Sequence, residues 1–327
     1  MLAAFYEKQG PATEVIRYGE LPAPQPARGE VRVRLRVSGV NPSDWKTRKG
    51  GGGRQLFAPR IIPHSDGMGQ IDAVGEGVAA SRIGERVWIW NGQWQRAFGT
   101  AAQYIALPSA QAVRMPDDLG DLQGACLGIP ALTAMHAVRL AHIAPGMTLL
   151  VQGGAGAVGH CAIQMAKARG ATVVSTVSSE DKARHALAAG ADHVINYKSE
   201  NLAERVRALT QGQGVDAVIE VDLTSNAAAY PGVLRQGGTV IVYGITGSEA
   251  ALPVLWMMQN AISLKFFMIY GIPAQDREAG LTELSALLRA GKLRQTIAMQ
   301  LPLRQAAEAH DLVEAGRQLG NVVLTIP

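Results

Sequence analysis

Four glycines in the segment VQGGAGAVGH (151–160) have the spacing of a phosphate-binding turn. Gly154, Gly156 and Gly159 fit the pattern G-x-G-x-x-G, and Gly153 adds the related pattern G-x-x-G-x-x-G. A β-type apolar run precedes the turn, and a helical pattern follows it. Glycine lets the backbone approach a pyrophosphate, and a helix N-terminus offers free N–H groups. The motif predicts a dinucleotide site, with a tight turn that binds no ligand as the alternative.

The strand predicted after the glycine loop ends without a carboxylate. NAD-dependent enzymes use an Asp or Glu there to bind the ribose hydroxyls, but here Val177 is followed by Ser178 and Ser179. Their hydroxyls and the ammonium of Lys182, one helical turn later, would suit the 2′-phosphate of NADP. Alternatively, a serine is only the N-cap of the next helix, and the acidic pair 180–181 reaches the ribose, which would favour NAD.

From about residue 124 onward the sequence alternates between strand and helix patterns. Their continuous apolar runs are typical of strands buried on both faces. Six such strands, joined by helical crossovers, predict a doubly wound parallel α/β sheet of the Rossmann type. The predicted strands are 148–152, 171–177, 193–196, 215–221, 238–243 and 265–270.

The first third of the chain has the pattern of an all-β, barrel-like domain. Alternation in VRVRLRVSGV (31–40) predicts a half-buried strand, and short strands follow between glycines and prolines. The glycine run that begins at Gly50 predicts a loop. The last segment is too small to fold alone, so we expect it to return to the first domain. The predicted domains are residues 1–124 with 271–327, and a dinucleotide-binding domain over 125–270.

Composition argues against several classes of protein. Charged residues make up 18% and hydrophobic residues 47% of the 327 residues, which is enough apolar material for a folded core. The net charge is +4, but the basic residues are scattered, so we expect no nucleic-acid partner. Cys126 and Cys161, the two cysteines, belong to no CxxC pair. They fit a reducing, cytoplasmic location better than a disulfide framework.

The most apolar segment, ALPVLWMMQNAISLKFFMIYG (251–271), is not expected to enter a membrane. Pro253, Gln259, Asn260 and Lys265 interrupt it, which predicts a buried helix and strand. The first residues, MLAAFYEKQG, lack the basic start and apolar run of a signal peptide.

Several segments, taken in order, give a resemblance that covers nearly the whole chain. They resemble the medium-chain dehydrogenase/reductase superfamily, and within it the zinc-free, zeta-crystallin-like quinone oxidoreductases. The resemblance implies a GroES-like β-barrel domain, a Rossmann domain and a substrate cleft between them. The segments are SGVNPSDWKTRKG (38–50), PHSDGMGQIDAVGEGV (63–78), LGIPALTAMHAV (127–138), the glycine loop, AGADHVINY (189–197) and GGTVIVYG (237–244).

The resemblance also bears on metal binding. Zinc enzymes of this superfamily carry Cys, His and Cys where this chain has Asn41, Ser65 and Ile129. An amide, a hydroxyl and an alkyl side chain cannot make a thiolate–imidazole zinc site. We therefore expect no zinc, and hydride transfer to an acceptor that is already electrophilic.

By resemblance, this chain would contact the dinucleotide along most of its length. Asn41 and Thr133 would lie near the nicotinamide and its ribose, and Tyr197 would join Ser178, Ser179 and Lys182 around the 2′-phosphate. Tyr197 could instead simply end a strand, and Phe267 and Met268 could be core strand residues. The remaining cofactor candidates are Gly153, Ala155, Gly156, Ala157 and Val158 at the pyrophosphate, Tyr243, Gly244, Ile245, Phe267, Met268 and Ile269 at the nicotinamide wall, and Asn321.

The chain departs from the quinone group near the substrate mouth. Lys46 stands where relatives usually carry tyrosine, which removes a stacking surface that Trp45 could replace. The substrate-cleft candidates are Asn41, Trp45, Lys46, Ile129 and Tyr243, and we assign no general acid among them.

The activity implied is NADPH-dependent reduction of quinones or related activated carbonyl compounds. An NADPH-dependent 2-alkenal or enoyl-thioester reductase is the enzyme alternative, because a fold alone does not define a substrate. An NADPH-binding, crystallin-like or RNA-binding protein is the alternative of another class. The family habit of pairing the last Rossmann strand across a two-fold axis implies a homodimer.

Overall fold

The computed structural model describes residues 1–50 and 56–327. These residues form two compact units: residues 1–129 with 295–327, and residues 130–294. Gly50 ends a helix, and the rest of the predicted glycine loop lies outside the described residues.

The described residues contain fifteen strands and twelve α-helices. The strands are β1 (Leu2–Phe5), β2 (Arg17–Glu20), β3 (Glu30–Val40), β4 (Asp66–Val74), β5 (Arg86–Ile89), β6 (Tyr104–Pro108), β7 (Ala112–Arg114), β8 (Thr148–Val151), β9 (Thr172–Val177), β10 (His193–Asn196), β11 (Val215–Glu220), β12 (Leu234–Val242), β13 (Ser263–Phe266), β14 (Ile297–Pro302) and β15 (Asn321–Thr325). The helices are α1 (Ala12–Val15), α2 (Pro42–Lys49), α3 (Asp121–Gly124), α4 (Leu132–Leu140), α5 (Ala157–Ala168), α6 (Glu180–Ala188), α7 (Leu202–Leu209), α8 (Leu223–Asn226), α9 (Tyr230–Val233), α10 (Val254–Gln259), α11 (Ala274–Arg289) and α12 (Ala306–Ala315).

The first unit is built on a seven-stranded sheet in which β3 is the central strand. Its order is β14-β15-β3-β4-β5-β7, and β6 also pairs with β3. The pairing is antiparallel except between β14 and β15. Alternation along β3 buries Val31, Val33 and Leu35 and leaves Arg34 and Arg36 exposed, so this strand prediction is confirmed. Each buried Val or Leu side chain contributes about 1.5–3 kcal/mol.

A fully buried chain of polar side chains crosses this first unit. Thr100 Oγ1 donates to the carbonyl oxygen of Asp66, so Ser38 Oγ, 2.8 Å away, must donate to Thr100. Ser38 then accepts from Nδ1 of His64 at 2.8 Å, which leaves Nε2 of His64 as an acceptor. His310 Nε2, 3.0 Å away, is therefore the donor. The chain of donors requires the His64 imidazole to be neutral, and burial lowers its pKa to about 3.

The second unit contains a six-stranded parallel sheet with helices between its strands. Its strand order is β10-β9-β8-β11-β12-β13, which is the doubly wound arrangement with the order reversing between β8 and β11. Leu150, Val174 and Val218, on three neighbouring strands, are fully buried in one hydrophobic cluster, as expected for strands covered by helices. The predicted Rossmann sheet is confirmed.

The boundary predicted at residues 270/271 differs from the one in the structure. Helix α11 belongs to the second unit, where Leu284 and Leu288 are buried. Glu283 of α11 accepts hydrogen bonds from Arg139, at 3.2 Å, and from Arg169, whose Nε lies 3.0 Å away. These contacts join α11 to residues of the second unit, so the chain leaves this unit after residue 294 rather than after 270.

The segment 251–271 also differs from its prediction. β13 ends at Phe266, and Ile269 lies in a 3₁₀ turn rather than in a strand. Helix α10 is not buried: Leu255 is 69% exposed and Met258 75% exposed. These apolar side chains therefore lie on the surface, and β13 is the last strand of its sheet. Within the described residues, no helix has the length and apolarity that a membrane span requires.

Candidate functional site

The glycine loop joins the end of β8 to the start of α5, and hydrogen bonds to the neighbouring strand β9 hold it in place. Gly153 N donates to Thr176 Oγ1 at 2.9 Å, and the same hydroxyl donates to Gln152 Oε1 at 2.7 Å. Gly154 N donates to the carbonyl oxygen of Thr176 at 3.2 Å. Gly153 has φ +68°, a conformation that favours glycine. The loop is therefore held rigidly at the carboxyl edge of the sheet.

Two of the motif glycines are required by the fold itself. A Cβ at Gly154 would lie 1.9 Å from Ser175 Oγ, and a Cβ at Gly159 would lie 2.5 Å from the carbonyl oxygen of Gly153. To accommodate these atoms, the Ser175 side chain would have to move in the first case and the loop backbone in the second. Gly159 thus lets α5 lie close against the loop, as the last glycine of the motif does in dinucleotide-binding units.

Gly156 is different, because the fold does not require it to be glycine. Its residue is exposed, its φ of −76° suits any residue, and the described atom nearest to an added Cβ is Gly153 O at 3.3 Å. It is the N-cap of α5, where free N–H groups point outward. An added Cβ would crowd only that carbonyl oxygen, so the position is open toward solvent. A ligand group could approach closely there, and a pyrophosphate fits the N–H donors.

The residues that follow β9 are compatible both with a 2′-phosphate site and with a simple helix cap. Val177 is buried, and Ser179 is the N-cap of α6, where its Oγ accepts from Lys182 N at 3.4 Å. Ser178 is half-buried and Tyr197 is 55% exposed. Tyr197 N donates to the carbonyl oxygen of Val177 at 3.1 Å, so the ends of β9 and β10 are adjacent. Ser178, Ser179, Lys182 and Tyr197 are thereby brought to one edge of the sheet.

Five of the predicted nicotinamide-wall residues line one cavity of about 360 Å³ at the ends of β12 and β13. They share this cavity with Val242 and Phe266, and they are Tyr243, Gly244, Ile245, Phe267 and Met268. Ile269 is buried and does not line it. Met268 is 61% exposed, which corrects the alternative that it is a core strand residue. A Cβ on Gly244 would lie 2.0 Å from Val221 O, so the wall has no room for a side chain there.

Two carboxylates hold the turns that carry this wall. Glu220, at the end of β11, accepts from Asp222 N at 2.7 Å, Asn226 Nδ2 at 2.8 Å and Tyr230 OH at 3.1 Å. Burial raises the pKa of Glu220, and these hydrogen bonds offset only part of the effect. Asp222 in turn accepts from Thr246 N at 3.0 Å and from its hydroxyl. The loops after β11 and β12 are thus tied together.

The first unit contains a second cluster, around a buried carboxylate. Asn41 is the N-cap of α2, and its Nδ2 donates to Asp66 Oδ2 at 2.8 Å. Ile129 N donates to both oxygens of Asp66, at 2.8 and 2.9 Å. Ser65, the remaining position occupied by a zinc ligand in zinc relatives, is buried next to Asp66 in the chain. Among the described residues, no group of three or more His, Cys, Asp or Glu side chains is placed to hold a metal ion.

The remaining candidates have ordinary surroundings. Trp45 is half-buried and packs against the hydrophobic cluster around β15, and Lys46 Nζ lies 5.8 Å from the centre of its ring. Thr133 is buried on α4. Asn321 Nδ2 donates to Thr296 O at 3.0 Å, so its amide has a partner in its own unit.

Sequence reasoning missed Thr176, Asp66, Glu220 and Asp222. Their signal was a carboxylate or hydroxyl at the edge of an apolar strand, as in VIEVD (218–222). Such a residue is a candidate to organise the neighbouring loop, because a buried carboxylate needs hydrogen-bond donors.

Comparison with known proteins agrees with this geometry. The model of the alcohol dehydrogenase GroES-like domain matches residues 27–117, and the model named zinc-binding dehydrogenase matches residues 157–286. The chain is 30% identical over 324 residues to the quinone oxidoreductase of Rattus norvegicus, covering 98% of this chain and 96% of that protein. It is 30% identical over 334 residues to a 2-haloacrylate reductase of a Burkholderia species, covering 99% of this chain and 98% of that protein.

Solved structures agree over the whole chain. An NAD-dependent alcohol dehydrogenase has a TM-score of 0.91 and 31% identity and covers 100% of both chains. A mycobacterial protein complexed with NADPH has a TM-score of 0.89 and 28% identity, covering 99% of this chain and 100% of that one. The chain therefore belongs to the medium-chain dehydrogenase/reductase superfamily, in its zeta-crystallin-like quinone oxidoreductase group, and is an oxidoreductase.

Proposed function

We propose that this oxidoreductase transfers hydride from NADPH to quinones or related activated carbonyl compounds and does so without zinc. The observation that carries the proposal is the carboxyl edge of the Rossmann sheet. There, the exposed Gly156 leaves room at a helix N-terminus, and hydroxyls follow β9 in place of a carboxylate. The bound cofactor would supply the hydride, and the protein would bind, orient and shield it.

The glycine loop is the proposed pyrophosphate site. Gly153, Ala155, Gly156, Ala157 and Val158 lie between the end of β8 and the first turn of α5. Their backbone N–H groups supply the donors that a diphosphate needs, and the positive end of the helix dipole adds to the attraction.

The proposed preference for NADPH rests on charge at the end of β9. Val177 is uncharged there, so no carboxylate at that position repels a 2′-phosphate. Ser178, Ser179, Lys182 and Tyr197 lie at the adjacent strand and helix ends and supply hydroxyl and ammonium donors. The solved relative that contains NADPH supports the same assignment.

The proposed acceptor is a molecule that needs no Lewis acid. The side chains at Asn41, Ser65 and Ile129 lack the thiolate and imidazole donors that zinc prefers. Relatives named quinone oxidoreductase support a quinone. The relative named 2-haloacrylate reductase, which matches over nearly the whole of both chains, favours a second candidate, an activated alkene.

The test is oxidation of NADPH by the purified protein with quinones, enals, enoyl thioesters and haloacrylates. We expect quinones to give the highest kcat/KM, and an alkene preference would establish the second candidate.

We also propose that a second copy of this chain covers the apolar edge of the Rossmann sheet. β13 is a terminal strand, and five apolar residues near it in the chain are more than half exposed: Val254, Leu255, Met258, Phe266 and Met268. An open strand edge beside apolar side chains favours pairing with another chain, and a two-fold axis closes such an assembly at two copies.

Sedimentation analysis of the wild type and of Met258→Glu tests this dimer. We expect the wild type to be a dimer and the variant to be a monomer, because the introduced charge would be buried in the interface. Ile83→Glu, at a residue that is 52% exposed in the first unit, is the control and should remain dimeric. A monomeric wild type would overturn the proposal.

A further inference from the structure

Asp66 is a buried carboxylate that joins three separate segments of the first unit. It is the first residue of β4 and is 0% exposed. Its oxygens accept from the side chain of Asn41, the N-cap of α2, and from the backbone N–H of Ile129, in a π-helical turn over Leu127–Ala131. A buried carboxylate is costly unless donors surround it, so this arrangement is a built site.

The backbone around Asp66 leaves no room for another arrangement. A Cβ on Gly128 would lie 2.0 Å from Asp66 Oδ1, and a Cβ on Gly39 would lie 3.2 Å from Asp66 Cβ and 2.1 Å from Ala125 O. Two glycines therefore allow the π-helical turn and β3 to approach the carboxylate. This close approach is what brings Ile129 N within 2.8 Å of it.

Asn41 is held at both its backbone and its side chain. Its backbone N donates to Asp44 Oδ2 at 2.7 Å, and Asp44 N donates to its carbonyl oxygen at 3.0 Å. These bonds fix the main chain at the start of α2 but do not decide which end of the side-chain amide faces which neighbour. The hydrogen bond from Nδ2 to Asp66 constrains it, because an ionised carboxylate can only accept. Burial raises the pKa of Asp66 to about 7, and the hydrogen bonds from Ile129 N and Asn41 offset part of that rise.

We infer that Asp66 is a positioning residue: its carboxylate sets which way the amide of Asn41 points beside the nicotinamide. The inference rests on the proposed function and on the further proposal, implied by the family resemblance, that Asn41 lies near the nicotinamide and its ribose. Asp66 itself touches neither substrate nor cofactor, and acts through Asn41. An error of about one ångström in such a group is enough to slow hydride transfer strongly.

A double-mutant cycle on kcat tests this inference, with Asp66→Asn, Asn41→Ala and the double variant. Quinone reduction is measured at saturating NADPH. Each single variant should lower kcat about tenfold or more, and the double variant should be no slower than Asn41→Ala, since Asp66 acts only through Asn41. The Kd for NADPH should stay within about threefold, because the proposed phosphate contacts lie in the other unit.

Asp216→Asn is the matched control. Asp216 also accepts from a backbone N–H, that of Thr148 at 2.6 Å, but at the amino ends of β8 and β11. This variant should keep the wild-type kcat. If Asp66→Asn does not fold, Asp66→Ser, which keeps an oxygen acceptor in a smaller side chain, takes its place in the cycle.

The outcomes separate this inference from the proposed function. A wild type that reduces no quinone with NADPH contradicts the proposed function. An active wild type in which the losses from Asp66→Asn and Asn41→Ala multiply in the double variant overturns the inference, because Asp66 would then act independently of Asn41.

Discussion

Ser179 caps helix α6 by accepting a hydrogen bond from the backbone N–H of Lys182 at 3.4 Å. The cap uses one lone pair of the hydroxyl oxygen and leaves its proton available to a phosphate oxygen. The bond also ties together two residues proposed to bind the 2′-phosphate, so the helix cap and the phosphate site are compatible uses of the same turn.

Replacing Lys182 by alanine should weaken NADPH binding and leave NADH binding nearly unchanged. A hydrogen bond to a charged group contributes about 1.5–3 kcal/mol, and partial exposure places the effect near the lower end, about tenfold in Kd. The measurement is a fluorescence titration with each cofactor. Lys292→Ala, at an exposed lysine of the same unit, is the control. Equal losses for the two cofactors would contradict a role at the 2′-phosphate.

The two glycines of the motif should respond differently to alanine. Gly156→Ala should keep the melting temperature close to that of the wild type but weaken binding of both NADPH and NADH, because its Cβ would occupy the space proposed for the pyrophosphate. Gly159→Ala should lower the melting temperature, because its Cβ would lie 2.5 Å from Gly153 O. Thermal unfolding and cofactor titration of both variants check this. Unchanged cofactor binding in Gly156→Ala would mean that the loop does not contact the pyrophosphate.

Removal of metal should leave activity intact. Asn41, Ser65 and Ile129 supply no thiolate or imidazole, so we expect active, chelator-treated protein to contain less than stoichiometric zinc by elemental analysis. Loss of activity on chelation that zinc restores would show a metal site that these side chains do not provide.

Stability should fall in mild acid through the buried imidazoles. Burial, and to a lesser extent the neighbouring His64 and Arg48, lowers the pKa of His310 well below its usual value. Near pH 6.5 the unfolded chain therefore binds a proton that the native state does not bind. The free energy of unfolding therefore decreases as pH falls below about 6.5. Between about pH 8 and pH 5 the wild type should lose about 2 kcal/mol more than His310→Gln, which keeps a donor for His64.

Urea unfolding of the two proteins across this pH range measures the difference. Parallel profiles for the wild type and His310→Gln would show that His310 also binds a proton in the native state, which would contradict the lowering of its pKa by burial.

The features that sequence predicted best are those set by local chemistry. The glycine loop, the uncharged end of β9 and the six strands of the parallel sheet depend on residues that are neighbours in the chain. Gly154 and Gly159 are glycine because the turn leaves no room for a Cβ. Such requirements appear directly in the order of residues, so the Rossmann sheet follows from the amino-acid pattern alone.

Long-range pairs could not be derived in this way. Asp66 meets Asn41 and Ile129 across 25 and 63 positions of sequence, and nothing local marks those partners. The domain boundary predicted after residue 270 differs from the one in the structure for a related reason. The place of α11 is decided by tertiary contacts such as those of Glu283 with Arg139 and Arg169.

The most direct test is the cofactor preference of the wild-type enzyme with a simple para-quinone. kcat/KM is measured for NADPH and for NADH under the same conditions. We expect NADPH to be preferred by about tenfold or more, since Ser178, Ser179 and Lys182 would add contacts that NADH cannot use. Equal values, or a preference for NADH, would contradict the proposed NADPH site and would mean that Ser179 only caps α6 while Glu180 or Asp181 binds the ribose.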